Sequence, residues 1–155
     1  MKQQIATDPS QSARLIACGV DPSTADMCYL YWDESGEQLS REEYLEILNE
    51  SFLDGRIELV PKDFGDYDHS YPDDSPAWSL GRLLALLPME IRKDGIDFDM
   101  MLKVYPNEEE CYRWCISYYD SELEATAYYS EASDPIEVCV RMIETLTFHK
   151  HKLTR

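Results

Sequence analysis

The residues best able to bind a metal or move a proton are densest in the run DFGDYDHSYPDD, residues 63–74. Its five aspartates, His69 and two tyrosines offer the hard oxygen and imidazole donors that suit Mg²⁺ or Ca²⁺, with Asp66, Asp68 and His69 as the only candidate ligands. Counted as a calcium loop from Asp66, the run has Asp68 and Ser70 at the third and fifth positions. Tyr71 then stands where glycine is needed, and Ala77 where a bidentate glutamate is needed. The spacing therefore predicts a solvated acidic loop entering a helix cap. The DFG triplet matches a kinase metal-binding motif. Without a glycine-rich or catalytic loop, in only 155 residues, it is a coincidence.

Nucleophilic catalysis needs a Ser or Cys beside a base. The chain has three His, one in the acidic run and two, His149 and His151, in a basic tail predicted to fray. Cys111 and Cys115 fall on one face of a predicted strand, roughly 13 Å apart, and cannot bridge there. No His pair is near enough in sequence to complete a zinc site with them. The sequence thus names no catalytic residue and no cofactor. What remains is aromatic. Tyr29, Tyr31, Tyr112, Tyr118, Tyr119, Tyr128 and Tyr129 all fall on predicted strands. Tyrosine is common both in sheet packing and at protein interfaces. Tyr112, Tyr118, Tyr128 and Tyr129 are the candidates for an interaction face.

The elements that would carry these residues are well punctuated. Asp8-Pro9 with Gln11 opens a helix that Gly19 stops, and Asp21-Pro22 opens a shorter one. Ser40 and Glu43 form a capping box before a stripe of Tyr44, Leu45, Leu48 and Phe52, and Asp134 with Glu137 forms another before Ile136, Cys139, Ile143 and Leu146. In SPAWSLGRLLALLP, Ser75 reads as cap and Pro76 as first helical residue, with Leu80, Leu83, Leu84 and Leu87 on one apolar face. Ser79 and Arg82 read as solvent-facing, while Gly81 and Ala85 would allow close packing. A helix apolar on most sides is normally buried.

Alternation in DFDMMLKVYP, CYRWCISYY and LEATAYY predicts three strands joined by short turns, and MCYLYW and RIELV add two more. The expected fold is α+β, one domain over residues 1–155, with an antiparallel β-meander of about three to five strands and helices on one face.

Asp plus Glu outnumber Lys plus Arg by 31 to 14, a formal charge of −17. Such a surface repels phosphate backbones and anionic lipid, so direct nucleic-acid or membrane partners are not expected, whereas a basic protein is favoured. Aromatics at 12% and hydrophobics at 44% make this the acidity of a folded surface. The start MKQQIATDPSQS has no apolar run, and five unpaired-looking cysteines suit a reducing cytoplasm.

Three segments together, GVDPSTADMCYLYW, PAWSLGRLLALLP and DPIEVCVRMIETL, resemble a group of small acidic proteins from gut Bacteroidetes and their phages or mobile elements. The resemblance implies a cytoplasmic bacterial or phage setting and supplies no catalytic residues. Three functional readings follow. The first is a non-enzymatic acidic interaction module, a regulator or inhibitor docking on a basic partner. The second is a small metal-dependent enzyme using the Asp63–Asp74 run. The third is a structural accessory protein of a phage or mobile element. Oligomeric state stays open.

Overall fold

Helix starts form where side-chain oxygens can satisfy the first free amides. In the computed structural model, which describes residues 4–33, 35–50, 56–63, 75–106 and 112–154, helix α1 spans Pro9–Ala17. The Gln11 amide donates to the Asp8 carboxylate at 2.7 Å, and the Gln11 side chain accepts from the Asp8 amide at 3.0 Å. Gly19 adopts a φ of 98° and the Val20 amide returns to the Leu15 carbonyl at 3.0 Å, a turn that a residue without Cβ enters most cheaply. A 3-10 turn at Pro22–Thr24 follows, capped by Asp21. Helix α2, Arg41–Glu50, starts with the expected reciprocal bonds between Ser40 and Glu43. Its apolar stripe is narrower than the spacing predicts, since Tyr44 is buried and Leu45 exposed. Phe52 and the Leu48 side chain lie outside the described residues.

The strands form two antiparallel sheets. In the first, β1 (Met27–Trp32) is central. Along one edge it pairs with β3 (Arg56–Pro61), and along the other with β2 (Gln38–Leu39) at one end and β4 (Pro76–Ala77) at the other. The second sheet is a meander in the order β5 (Glu90–Lys93), β6 (Ile96–Pro106), β7 (Tyr112–Asp120), β8 (Ala125–Ala132). The expected α+β class holds, with the sheet divided in two. Strand β5 has a sequence signal that the alternation reading passed over. Asp94-Gly95 is a two-residue hairpin turn, and both residues take positive φ, 52° and 79°.

Two expectations at helix starts are corrected. Ser75 and Pro76 do not open α3; Pro76–Ala77 is drawn into the first sheet, and α3 runs Leu80–Leu86 with Ser79 as its cap. Bonds over long sequence distance outweigh the local Ser-Pro signal. The Thr7 amide donates to the Trp78 carbonyl at 2.9 Å, the Trp78 amide donates to the Thr7 hydroxyl at 3.0 Å, and the Ser79 amide donates to Asp26 at 2.9 Å. Ser79 is therefore bonded, and Arg82 donates to the Thr24 carbonyl at 2.6 Å, so neither simply faces solvent. Asp134 caps α4 (Pro135–Phe148) by itself, accepting from the amides of Ile136 and Glu137. Glu137 turns instead to Arg14 of α1, forming an ion pair at 2.5 Å.

The main core lies between the inner face of the second sheet and the helices α1, α3 and α4. It gathers Leu15, Trp78, Leu83, Phe98, Ile116, Tyr118, Ile143 and Leu146. Leu86 and Leu87 are buried, while Leu80 and Leu84 are half-buried and Gly81 and Ala85 exposed. A smaller cluster of Cys28, Leu30 and Val60 fills the first sheet. Among the described residues no helix is long and apolar enough to cross a membrane.

Candidate functional site

Alternation along β6, β7 and β8 sets two faces. The register Met100↔Tyr118, Leu102↔Ile116, Val104↔Trp114 with Ile116↔Ser130 and Tyr118↔Tyr128 defines the inner one. A bulge between Tyr118 and Tyr119 leaves Ala127 without a partner in β8. It turns Tyr128, Ser130 and Ala132 inward and Tyr129 outward, where the sequence alternation alone puts Tyr129 beside Ala125 and Ala127.

The four candidate interaction tyrosines are thereby separated. Tyr118 is fully buried and donates its hydroxyl to the Pro88 carbonyl at 2.7 Å; burial and then the nearby Cys139 raise its pKa. Tyr128 is also buried. The Lys93 ammonium sits 4.7 Å above its ring centroid, the His149 ring is 4.9 Å away, and its hydroxyl is 2.9 Å from His151 Nε2. These contacts overturn the fraying tail. The His151 amide donates to the Leu146 carbonyl, the Thr154 amide to the Leu86 carbonyl, and Leu153 packs on the core. Tyr29 and Tyr31 are likewise committed, to the Thr7 carbonyl and the Ser75 hydroxyl. Tyr112 and Tyr129 remain at the surface, 62% and 55% exposed.

Tyr129 belongs to a polar cluster on the outer face. Its hydroxyl donates to Glu131 at 2.7 Å and lies 3.2 Å from the Cys115 sulfur, while Arg113 donates to Glu131 at 2.8 Å. Arg113 first, then Tyr129, holds the Glu131 carboxyl below its ordinary range. The bonds to Cys115 and then Glu131 push the Tyr129 phenol up. The Cys115 sulfur also lies 4.0 Å from Glu131 Oε2. The cluster joins β7 to β8.

Asp66, Asp68 and His69 lie outside the described residues, as does Cys111. Among the described residues no group of three or more His, Cys, Asp or Glu is arranged to hold a metal ion.

The exposed feature that sequence reasoning missed is the far end of β6 and β7. Strand β5 pairs with β6 only as far as Asp99, with one further bond from the Met100 amide to the Met89 carbonyl. Beyond that point β6 and β7 continue as a β6–β7 ribbon that β5 no longer borders and that β8 borders only as far as the pair Trp114↔Ala132. Its inner face carries Leu102 (41% exposed), Val104 (42%) and Tyr112, beside half-buried Trp114. Tyr105 is exposed on the outer face. Alternation marked Leu102 and Val104 as apolar face residues but gave no sign that the covering helices stop short of them. Comparison with known proteins finds no matching family, curated protein or solved structure. The site is read from its own geometry.

Proposed function

We propose that this chain is a non-enzymatic acidic interaction module, a regulator or inhibitor that docks on a basic protein through the end of the β6–β7 ribbon. The observation that carries this reading is the exposed apolar strip of Leu102, Val104 and Tyr112, on a sheet face otherwise covered by helices. Clustered exposed apolar residues mark interaction surfaces, whereas scattered ones do not. The charge of −17 supports a basic partner and disfavours nucleic acid or anionic lipid. The free thiols of Cys18, Cys115 and Cys139 suit a reducing cytoplasm, and the resemblance to acidic proteins of Bacteroidetes and mobile elements suits a bacterial or phage setting.

Affinity capture from the native host tests the reading at about 50 mM and about 500 mM salt, which brackets strong and weak electrostatic range. A basic partner is expected to be held at low salt and shed at high salt. The double variant Val104→Ser, Tyr112→Ser is expected to lose it, with unfolding free energy changed by no more than about 0.5 kcal/mol per site. Capture of no partner, or salt-independent capture untouched by the variant, overturns the proposal.

A further inference from the structure

A cleft of about 840 Å³ lies between the turn after α1, helix α3 and the C-terminal tail, and shares no residue with the β6–β7 strip. Its apolar walls are Val20, Leu86 and Leu153, which belong to the main core or pack against it. Two bases line it, Arg82 of α3 and Lys152 of the tail, against one acid, Asp21. The cleft is thus net positive in a chain of charge −17. Elsewhere Arg14, Arg92, Arg113 and Arg141 each hold a carboxylate. Among the described residues neither Arg82 nor Lys152 has an ion-pair partner. Arg82 is nevertheless fixed. Its Nε–H donates to the carbonyl of Thr24, itself on the cleft wall, at 2.6 Å, which leaves the terminal nitrogens as a two-pronged donor. The backbone around Lys152 is held too, by the His151 amide on the Leu146 carbonyl and the Thr154 amide on the Leu86 carbonyl. The Thr24 and Thr147 hydroxyls are committed to the Asp21 and Ile143 carbonyls, and His151 Nε2 to the Tyr128 hydroxyl. Those of Ser23 and Thr154 make no bond among the described residues.

We infer that this cleft binds a small organic phosphate monoester, its phosphate on Arg82 and Lys152 and its organic body on Val20, Leu86 and Leu153. The inference goes beyond the docking reading and does not depend on it. An oxyanion is what an uncommitted guanidinium fork and an ammonium recognise, the fork by paired bonds and the ammonium as a point charge. Two bases and two uncommitted hydroxyls outnumber the two oxygens of a carboxylate. A phosphate monoester offers three terminal oxygens and, near neutral pH, close to two charges. The volume calls for an organic body. Clefts of roughly 300–1,000 Å³ with apolar walls and a few placed polar groups take organic ligands far larger than a bare phosphate. The charge of −17 repels an anion at long range. That field is screened beyond roughly 10 Å in about 0.1 M salt, whereas Arg82 and Lys152 act by contact. A polyanion, which has to lie along the acidic surface, stays disfavoured.

The probe is phenyl phosphate, titrated into the full chain at about pH 7.5, where it is a dianion, and followed by amide NMR. Saturable shifts are expected at Ser23, Thr24, Arg82 and the tail from His151 to Thr154, with a Kd below about 1 mM. At about ten times that Kd, exchange at the Thr154 amide should slow about tenfold, because the ligand bridges α3 and the tail that this amide ties to Leu86. Lys152→Gln and Arg82→Gln should each weaken binding at least about tenfold, the loss typical of a charged hydrogen bond. Lys103→Gln removes the same charge from exposed β6, outside the cleft, and should leave the Kd unchanged. If Arg82→Gln does not fold, the exposed Lys152 compared with Lys103 still decides. No saturable shift by about 10 mM, or equal weakening by Lys103→Gln, overturns the inference. Benzyl alcohol binding as tightly as phenyl phosphate overturns the anion site, and inorganic phosphate binding as tightly overturns the organic body. Benzoate binding as tightly overturns the choice of phosphate. All of these outcomes leave the docking reading to its own experiment.

Discussion

Leu83 lies wholly inside the core, while Leu84, the next residue of α3, is half-buried. Truncating a buried leucine loses transfer free energy and leaves a cavity, so Leu83→Ala should cost roughly 2–5 kcal/mol. Leu84→Ala, with part of its side chain already in water, should cost about 1 kcal/mol. One turn of the same helix offers the opposite sign. Gly81 is exposed, and a Cβ there would meet nothing within 4 Å. Gly81→Ala should therefore add about 0.5–1 kcal/mol by reducing the freedom of the unfolded chain without a clash. Urea melts of the three variants check the set. A stabilising Leu84→Ala or a destabilising Gly81→Ala would show that α3 packs differently. Arg82→Ala should cost more than an ordinary surface change, because the Arg82 Nε–H holds the Thr24 carbonyl.

At the scale of elements, what the sequence revealed was what local chemistry decides. The caps at Asp8, Ser40 and Asp134 and the stop at Gly19 follow from side chains within three residues of the amides they serve. The misplaced start of α3 and the unforeseen docking of the tail depend on Thr7, Asp26 and Tyr128, far away in sequence, and no local pattern reports those. The tail also carries a pH dependence. Burial first, then His149 and Lys93, lower the His151 pKa, so the fold favours neutral imidazole. A folded pKa below the unfolded value of about 6.5 gives stability that is complete above that value and is lost as pH falls through the lower, folded one. Acidification below about pH 6 should therefore loosen the segment from His151 to Thr154. Hydrogen exchange at the amides of His151 and Thr154, bonded to Leu146 and Leu86, should quicken before that of α4 does. His151→Gln should remove that early phase. Exchange at these two amides that keeps pace with α4 at every pH would sink the idea.

For the whole molecule, charge is the property the sequence disclosed most fully and the ribbon the one it concealed. Composition counts carboxylates wherever they fall, but whether a helix covers an apolar strand end depends on relative element lengths in space. Strand β6 runs eleven residues while its neighbour β5 runs four, which leaves the end of β6 without that neighbour, and the covering helices stop short of Leu102 and Val104 on its face. The excess of acid over base has its own consequence for stability. With 31 acidic groups against 14 basic ones, more than half of the carboxylates have no basic side chain to match them one to one, so the folded state carries a net self-repulsion beside ion pairs such as Arg14–Glu137, Arg14–Glu144 and Arg113–Glu131. Salt weakens both effects, but partly exposed pairs contribute about 0–1 kcal/mol each, whereas repulsion is summed over the surface. Raising ionic strength from about 10 mM to about 300 mM shortens the Debye length from about 30 Å to under 10 Å. The melting temperature should rise by several degrees over that range, about 1 kcal/mol or more for a domain of this size. The rise should be the same with sodium chloride and potassium chloride, since screening does not depend on the cation's identity. A fall in melting temperature with salt would mean that the ion pairs outweigh the repulsion, and that the acidic surface is not held under strain for a basic partner to relieve.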